Sequence, residues 1–246
     1  EAGVPRGPPC ATCCGRLTRV PTSSTCGAGG EACFLDGAFT EDFLQGLERL
    51  WRSLPVAARE GGGYAGLSTQ QARRLQVDRG ALRLDRSQQE AAPRRSYFCD
   101  AERWVLRELE GALEAAGSTR SGGGGPPCRG ALPQLRFLHY AEVGGYLAPH
   151  TDLARADGAT GERSTHTFLL YLSGPPPGEA GGGAGGRAGG CAGGQTVLLE
   201  SLDADAPPLA SVAPARGRLF LFPHDCPHKA EPVLRPPKLL LRGEMR

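Results

Sequence analysis

The chain has 246 residues, 39% of them apolar, with 28 basic against 26 acidic side chains and a formal charge of +2. That length and apolar content suffice for one large domain or two small ones. A near-neutral balance gives no basis for a nucleic-acid or membrane partner, and no run approaches the roughly 18 apolar residues of a membrane span.

Residues 1–32 are rich in Pro, Gly and Cys and predict a poorly ordered tail. Four of the nine cysteines, Cys10, Cys13, Cys14 and Cys26, fall there and a fifth, Cys33, follows at once. Cys10 and Cys13 form a C-x-x-C, but the second pair that a four-thiolate zinc site requires is missing. The pattern favours an untidy tail over a zinc site or a disulfide set.

The globular part, 33–246, reads as a single domain. Its first half, 33–130, carries two helices. In "FLDGAFTEDFLQGLERLWRSLP" Thr40 is a good N-cap followed by two acids. Phe43, Leu47, Leu50, Trp51 and Leu54 then recur at helical spacing until Pro55. A second helix is predicted from near Asp100, with Trp104, Val105, Leu109, Ala112, Leu113 and Ala116 on one side and Gly117 as its stop. Between the helices, the Arg-dense run from Arg73 to Arg95 reads as a solvated loop or a lid.

From Leu135 the pattern changes to short β-like runs separated by Gly and Pro: "LRFLHY", "YLAPHTDL", "THTFLLYL", "QTVLL", "GRLFLF" and "KLLLR". The tract from Gly174 to Gly193 cannot bury apolar surface and reads as an enlarged, flexible loop between strands. Together these predict an α+β, mainly β domain: a jelly-roll core over 131–246, backed by the N-terminal helices.

In "APHTDL", His150 and Asp152 are two apart, so a strand places both on one face. One imidazole and one carboxylate leave a metal short of ligands, and the natural third is a histidine from a neighbouring strand. "FPHDCPHKAEPV", residues 222–233, offers His224 and His228. Their spacing suggests the helical H-E-x-x-H zinc pattern, but Pro227 between them, with Pro223 and Pro232 on either side, opposes a helix. One histidine at most is therefore a ligand. Two histidines and a carboxylate on one face form the facial triad of non-haem iron oxygenases, with positions left open for substrate chemistry.

At this point the sequence resembles the Fe(II)- and 2-oxoglutarate-dependent dioxygenases, specifically the catalytic domain of prolyl 4-hydroxylases. The resemblance runs over about 134–246. It is carried by "HYAEVGGYLAPHTD", by the Gly-Gly-x-Thr strand of "GGQTVLL", by "GRLFLF" before the distal histidine, by "HKAEPV", and by "KLLLRGEM" as the closing strand with its basic residue. It implies a double-stranded β-helix fold and makes His150, Asp152 and His228 the Fe(II) ligands, with His224 outside the pattern. It makes Lys238 the anchor of the 2-oxoglutarate carboxylate, Tyr140 a hydrogen-bonding neighbour of that co-substrate, and Arg242 the reserve anchor, since it shares strand parity with Lys238. A buried lysine in a Leu-rich strand would be costly without an anionic partner, which agrees with this role. His139 reads as an ordinary structural histidine. His166 shares parity with Phe168 and Leu170, and a polar role beside the pocket is open to it.

The implied reaction uses Fe(II), 2-oxoglutarate and O2, with L-ascorbate as reductant. It hydroxylates an unactivated C–H of a protein or peptide substrate, a peptidyl proline first, and releases succinate and CO2. The alternative is a non-catalytic metal-binding or protein-interaction module that retains the fold. Its expected marker, loss of a ligand or of the basic anchor, is absent from the sequence. Substrate, compartment and oligomeric state are not legible in the chain.

Overall fold

The computed structural model describes residues 15–23, 31–56, 93–118, 130–157, 160–177, 191–203 and 205–246. Cys10, Cys13, Cys14, Cys26, most of the Arg-dense run and residues 178–190 of the glycine tract lie outside them.

Chain order gives β1 (Arg16–Val20), β2 (Ala32–Asp36), α1 (Glu41–Ser53), β3 (Arg94–Cys99), α2 (Trp104–Ser118), β4 (Gln134–Tyr140), β5 (Leu147–His150), β6 (His166–Tyr171), β7 (Ala192–Gly193), β8 (Thr196–Leu199), β9 (Pro208–Val212), β10 (Leu219–Pro223), β11 (His228–Ala230), β12 (Val233–Arg235) and β13 (Lys238–Met245). A seven-stranded antiparallel sheet runs β1-β2-β10-β6-β13-β4-β3, and a four-stranded sheet runs β5-β11-β8-β9. β7 and β12 form a separate short pair.

The large sheet is buried on both faces. Leu135, Phe137, Phe168, Leu170, Leu219, Leu221, Leu239 and Leu241 pack with α1 and α2 in one core. The alternate residues Leu138, Tyr140, Leu169, Tyr171, Phe220, Phe222 and Leu240 join Leu198 and Val212 of the small sheet in a second core. Two buried faces explain why "THTFLLYL" and "GRLFLF" read as continuous apolar runs rather than alternating ones. The result is the expected mainly β jelly roll with helices laid on one side.

α1 begins as predicted, with Thr40 Oγ1 accepting a hydrogen bond from the Phe43 N–H at 3.3 Å, and buries Phe43, Leu44 and Leu47. Asp100 caps α2, its carboxylate accepting from the Trp104 and Leu106 N–H groups at 3.1 and 2.9 Å. That helix runs through Gly117 to Ser118 rather than stopping at the glycine. His139 packs edge-to-face against Trp51 of α1, with ring centroids 4.9 Å apart.

Two expectations change. Residues 16–20 fall within the stretch expected to be a poorly ordered tail, yet they form β1 and pair in full register with β2 at the sheet edge. The half expected to supply only helical support also gives β2 and β3 to the large sheet. β1 and β3 are faint because they are edge strands and only partly covered, so their apolar periodicity is diluted. Among the described residues no helix is long and apolar enough to cross a membrane.

Candidate metal centre and its pocket

The antiparallel register of β5 and β11 sets His150 directly opposite His228, with ring centroids 4.2 Å apart. Asp152 follows His150 by two residues and returns to the same face. His150 Nε2 lies 3.8 Å from Asp152 Oδ1, and His228 Nε2 lies 3.7 Å from Asp152 Oδ2. One ligand atom from each of the three falls within 4.8 Å of the others, close enough for a single metal ion. Between β10 and β11, His224 to Cys226 form a turn rather than a helix, as Pro227 requires.

Hydrogen bonds orient the donor atoms. His150 Nδ1 is 2.8 Å from the Ala148 carbonyl, and His228 Nδ1 is 3.0 Å from the Cys226 carbonyl. A carbonyl only accepts, so each Nδ1 carries a proton, and this fixes each ring with its Nε2 turned to the centre. Burial pushes His150 down to about 4, which keeps its ring neutral. Burial alone would raise the Asp152 carboxyl, but the His228 and His150 rings and a Thr167 hydrogen bond outweigh it, and the group is held below the usual carboxylate range.

A hydrogen-bonded chain stands behind the aspartate. Thr167 Oγ1 donates to Asp152 Oδ2 at 2.6 Å, so it accepts from His224 Nδ1–H at 3.0 Å. His224 Nε2 then accepts from the Ser164 hydroxyl at 2.7 Å. The backbone repeats the link, since the Asp152 N–H donates to the His224 carbonyl at 2.8 Å. His224 thus stands outside the trio but orients one member of it.

The supporting place left open to His166 belongs to Thr167 and His224 instead. The parity of His166 with Phe168 and Leu170 holds, but those residues face the helices, not the cavity. His166 Nδ1 meets Thr165 Oγ1 at 2.8 Å, and its buried Nε2 has no hydrogen-bond partner among the described residues.

The trio opens onto a cavity of about 290 Å³ lined also by Tyr140, Leu169, Thr196, Lys238 and Leu240. Lys238 is 1% exposed. Its Nζ donates to the Gly194 carbonyl at 2.6 Å and lies 4.7 Å from the centre of the Tyr140 ring. No acidic side chain pairs with it among the described residues, and burial lowers it to about 8. The adjacent glycines have a steric reason. Gly193 and Gly194 both take positive φ, and a Cβ on Gly194 would lie 2.9 Å from Lys238 Cδ. Arg242, the reserve anchor, aims elsewhere: its guanidinium meets Asp152 Oδ1 and Glu244.

Two imidazoles that turn Nε2 to the centre and one carboxylate on the same face fit Fe(II), and they leave room for exchangeable ligands on the cavity side. The lysine at the far end fits an acid that reaches back from such a metal. Residues 135–243 match the family model of the 2OG-Fe(II) oxygenase superfamily. Over this segment the chain is similar to that superfamily. The matched segment contains His150, Asp152, His228, Tyr140, Lys238 and Arg242 together. No curated protein matches the sequence significantly. Solved structures similar to the chain include a prolyl-4-hydroxylase of Pseudomonas putida, 18% identical over 87% of this chain and 92% of that one, with a TM-score of 0.45. Another is the viral collagen prolyl hydroxylase of Paramecium Bursaria Chlorella virus-1 in its 2OG complex, at 13%, 91%, 98% and 0.48 by the same measures. A third is a Trichoplax adhaerens prolyl hydroxylase in complex with a hypoxia inducible factor oxygen degradation domain peptide fragment, at 15%, 87%, 83% and 0.46.

Sequence reasoning named the trio, Lys238, Tyr140 and Arg242, and all six line this one cavity. It missed Ser164, Thr167, Arg136, Arg155 and Glu244, which meet the site only through cross-strand neighbours and carry no spacing of their own.

Proposed function

We propose that this chain is an Fe(II)- and 2-oxoglutarate-dependent dioxygenase that hydroxylates an unactivated C–H of a protein side chain, a peptidyl proline first. The observation that carries the reading is the cavity itself, which has a two-histidine, one-carboxylate trio on one wall and a buried lysine without an acidic partner beneath it.

His150, Asp152 and His228 would hold Fe(II), and Lys238 with Tyr140 would hold the far carboxylate of 2-oxoglutarate. Bound iron and 2-oxoglutarate supply the activation of O2, with release of succinate and CO2. The chain's own residues do the positioning. The Nδ1 hydrogen bonds of both histidines fix their Nε2 lone pairs, and the Thr167–His224 link fixes the carboxylate. Lys238 keeps the co-substrate from turning, and the apolar Leu169 and Leu240 keep water from the space between metal and anchor. Ascorbate would serve as the external reductant that returns oxidised iron to Fe(II).

The test needs no known substrate. Fe(II), 2-oxoglutarate and ascorbate are added to the chain and succinate is measured. Slow release, accelerated by a library of Pro-containing peptides, is expected. A folded, Fe(II)-binding protein that releases no succinate would be the binding module instead.

A further inference from the structure

We propose that the arginines beside the metal trio bind an anionic group of the substrate, a carboxylate or a phosphate. This rests on the oxygenase reading above and names the substrate class for the same cavity. Arg136 of β4 and Arg242 of β13 are cross-strand partners, and both line the cavity with Arg155. The three guanidinia converge on one atom, Glu244 Oε1, at 3.1 Å from Arg136, 3.5 Å from Arg155 and 3.5 Å from Arg242. Glu244 Oε2 has no hydrogen-bond partner among the described residues. The remaining contact is Arg242 with Asp152.

The charge balance of this cluster therefore depends on a carboxylate that the metal would use. With Asp152 committed to a divalent cation, Arg136 and Arg242, whose side chains are only 15% and 11% exposed, share a single carboxylate with Arg155. Buried cations left short of partners are costly, and a guanidinium fork matches carboxylate and phosphate oxygens. Arg95, half-buried on β3, lines the same cavity and has no acidic partner among the described residues. In all, six cationic side chains and two carboxylates line it, in a chain whose formal charge is only +2.

2-Oxoglutarate does not meet this demand. Arg242 follows Lys238 by four positions along β13, a separation of roughly 13 Å at strand rise, so an acid anchored by Lys238 leaves the arginine end open. There Tyr97 and Leu153, 53% and 45% exposed, give the mouth an apolar surface on which the body of the substrate can lie.

The test uses the full chain under anaerobic conditions, with Mn(II) in place of Fe(II). Titration of Mn(II) and 2-oxoglutarate comes first and checks the oxygenase reading alone; a chain that binds neither overturns that reading, and the substrate proposal falls with it. Fluorescent Glu-Pro, phosphoserine-Pro, Ser-Pro and Lys-Pro repeat peptides of equal length are then titrated into the loaded protein. One of the two anionic peptides should bind at least about tenfold tighter than Ser-Pro, the worth of one charge-assisted contact, and which one it is distinguishes carboxylate from phosphate. The double variant Arg136→Gln, Arg155→Gln should lose that preference. Because Arg136 supports a buried glutamate, Arg155→Glu, at a side chain 51% exposed, is the second variant and should weaken the anionic peptide selectively. Equal binding of all four peptides, tighter binding of Lys-Pro, or a preference unchanged in both variants would overturn the proposal.

Discussion

Lys238 and Tyr140 face each other across β13 and β4, and the ammonium rests 4.7 Å from the centre of the phenol ring. The ring face and the Gly194 carbonyl make burial of a cation tolerable, but neither is a counter-ion. The lowering of this lysine to about 8 by burial is the measure of what is missing.

Replacing Lys238 by alanine should raise the apparent 2-oxoglutarate constant by at least about a hundredfold while Mn(II) binding stays intact. Breaking a buried charge pair costs ~3–5 kcal/mol, and ~1.4 kcal/mol is tenfold. Calorimetric titration of each ligand separately decides it. A silent Lys238→Ala with a crippled Arg242→Ala would move the anchor to Arg242.

The same lysine sets a pH dependence. In the free protein it is protonated below about 8 and neutral above, against an ordinary value of 10.5. An acid that needs the ammonium must therefore bring in a proton above that point. 2-Oxoglutarate affinity should be flat below pH 8 and fall as pH rises beyond it. Proton uptake, measured in two buffers of different ionisation enthalpy, should be near zero at neutral pH and approach one proton above pH 8. Without ligand the sign reverses for stability: between about 8 and 10.5 the unfolded chain binds more protons, so this group makes the fold more stable as pH rises.

How much of this was legible in the sequence depends on the range of each signal. Strand parity related His150 to Asp152, and the family resemblance marked Lys238, with its place in a Leu-rich strand in support. Parity also grouped His166 correctly with Phe168, but nothing local to β6 tells which of its two buried faces meets the small sheet. The partnership of Arg136 with Glu244 is carried by the pairing of β4 and β13, and no periodicity connects strands so far apart in the chain. β1 was hidden for a different reason: five half-covered edge residues bury too little to stand out from a Pro- and Gly-rich background.

Substitutions around the metal trio should separate ligands from supports. Asp152→Ala and His228→Ala should abolish stoichiometric Fe(II) binding. His224→Ala and Thr167→Val should weaken it by about 10- to 100-fold, the usual effect of losing a partner behind a ligand. Anaerobic metal titration checks all four. Tight metal binding in Asp152→Ala, or complete loss in His224→Ala with His228→Ala unaffected, would reassign the centre.

Stability has a separate weak point. Arg218 donates to both oxygens of Asp36 at 2.7 and 2.8 Å, with side chains 9% and 16% exposed. This fastens β2 to the start of β10. Asp36→Ala leaves that guanidinium buried and unpaired, at a cost of ~3–5 kcal/mol. Thermal unfolding should shift down by on the order of 10 °C, and a change within a degree or two would show that the pair is dispensable.

The two imidazoles hang from the small sheet, on β5 and β11, whereas Lys238 hangs from the large one, on β13. On the proposed function the core between the sheets would work as a ruler: its thickness would fix how long an acid must be to reach from the metal to the ammonium. Phe222, whose ring lies 4.5 Å from that of His228, is one of its graduations. Thinning that layer would then favour a shorter diacid and thickening it a longer one, and selectivity for chain length would reside in apolar side chains that never touch the carboxylates.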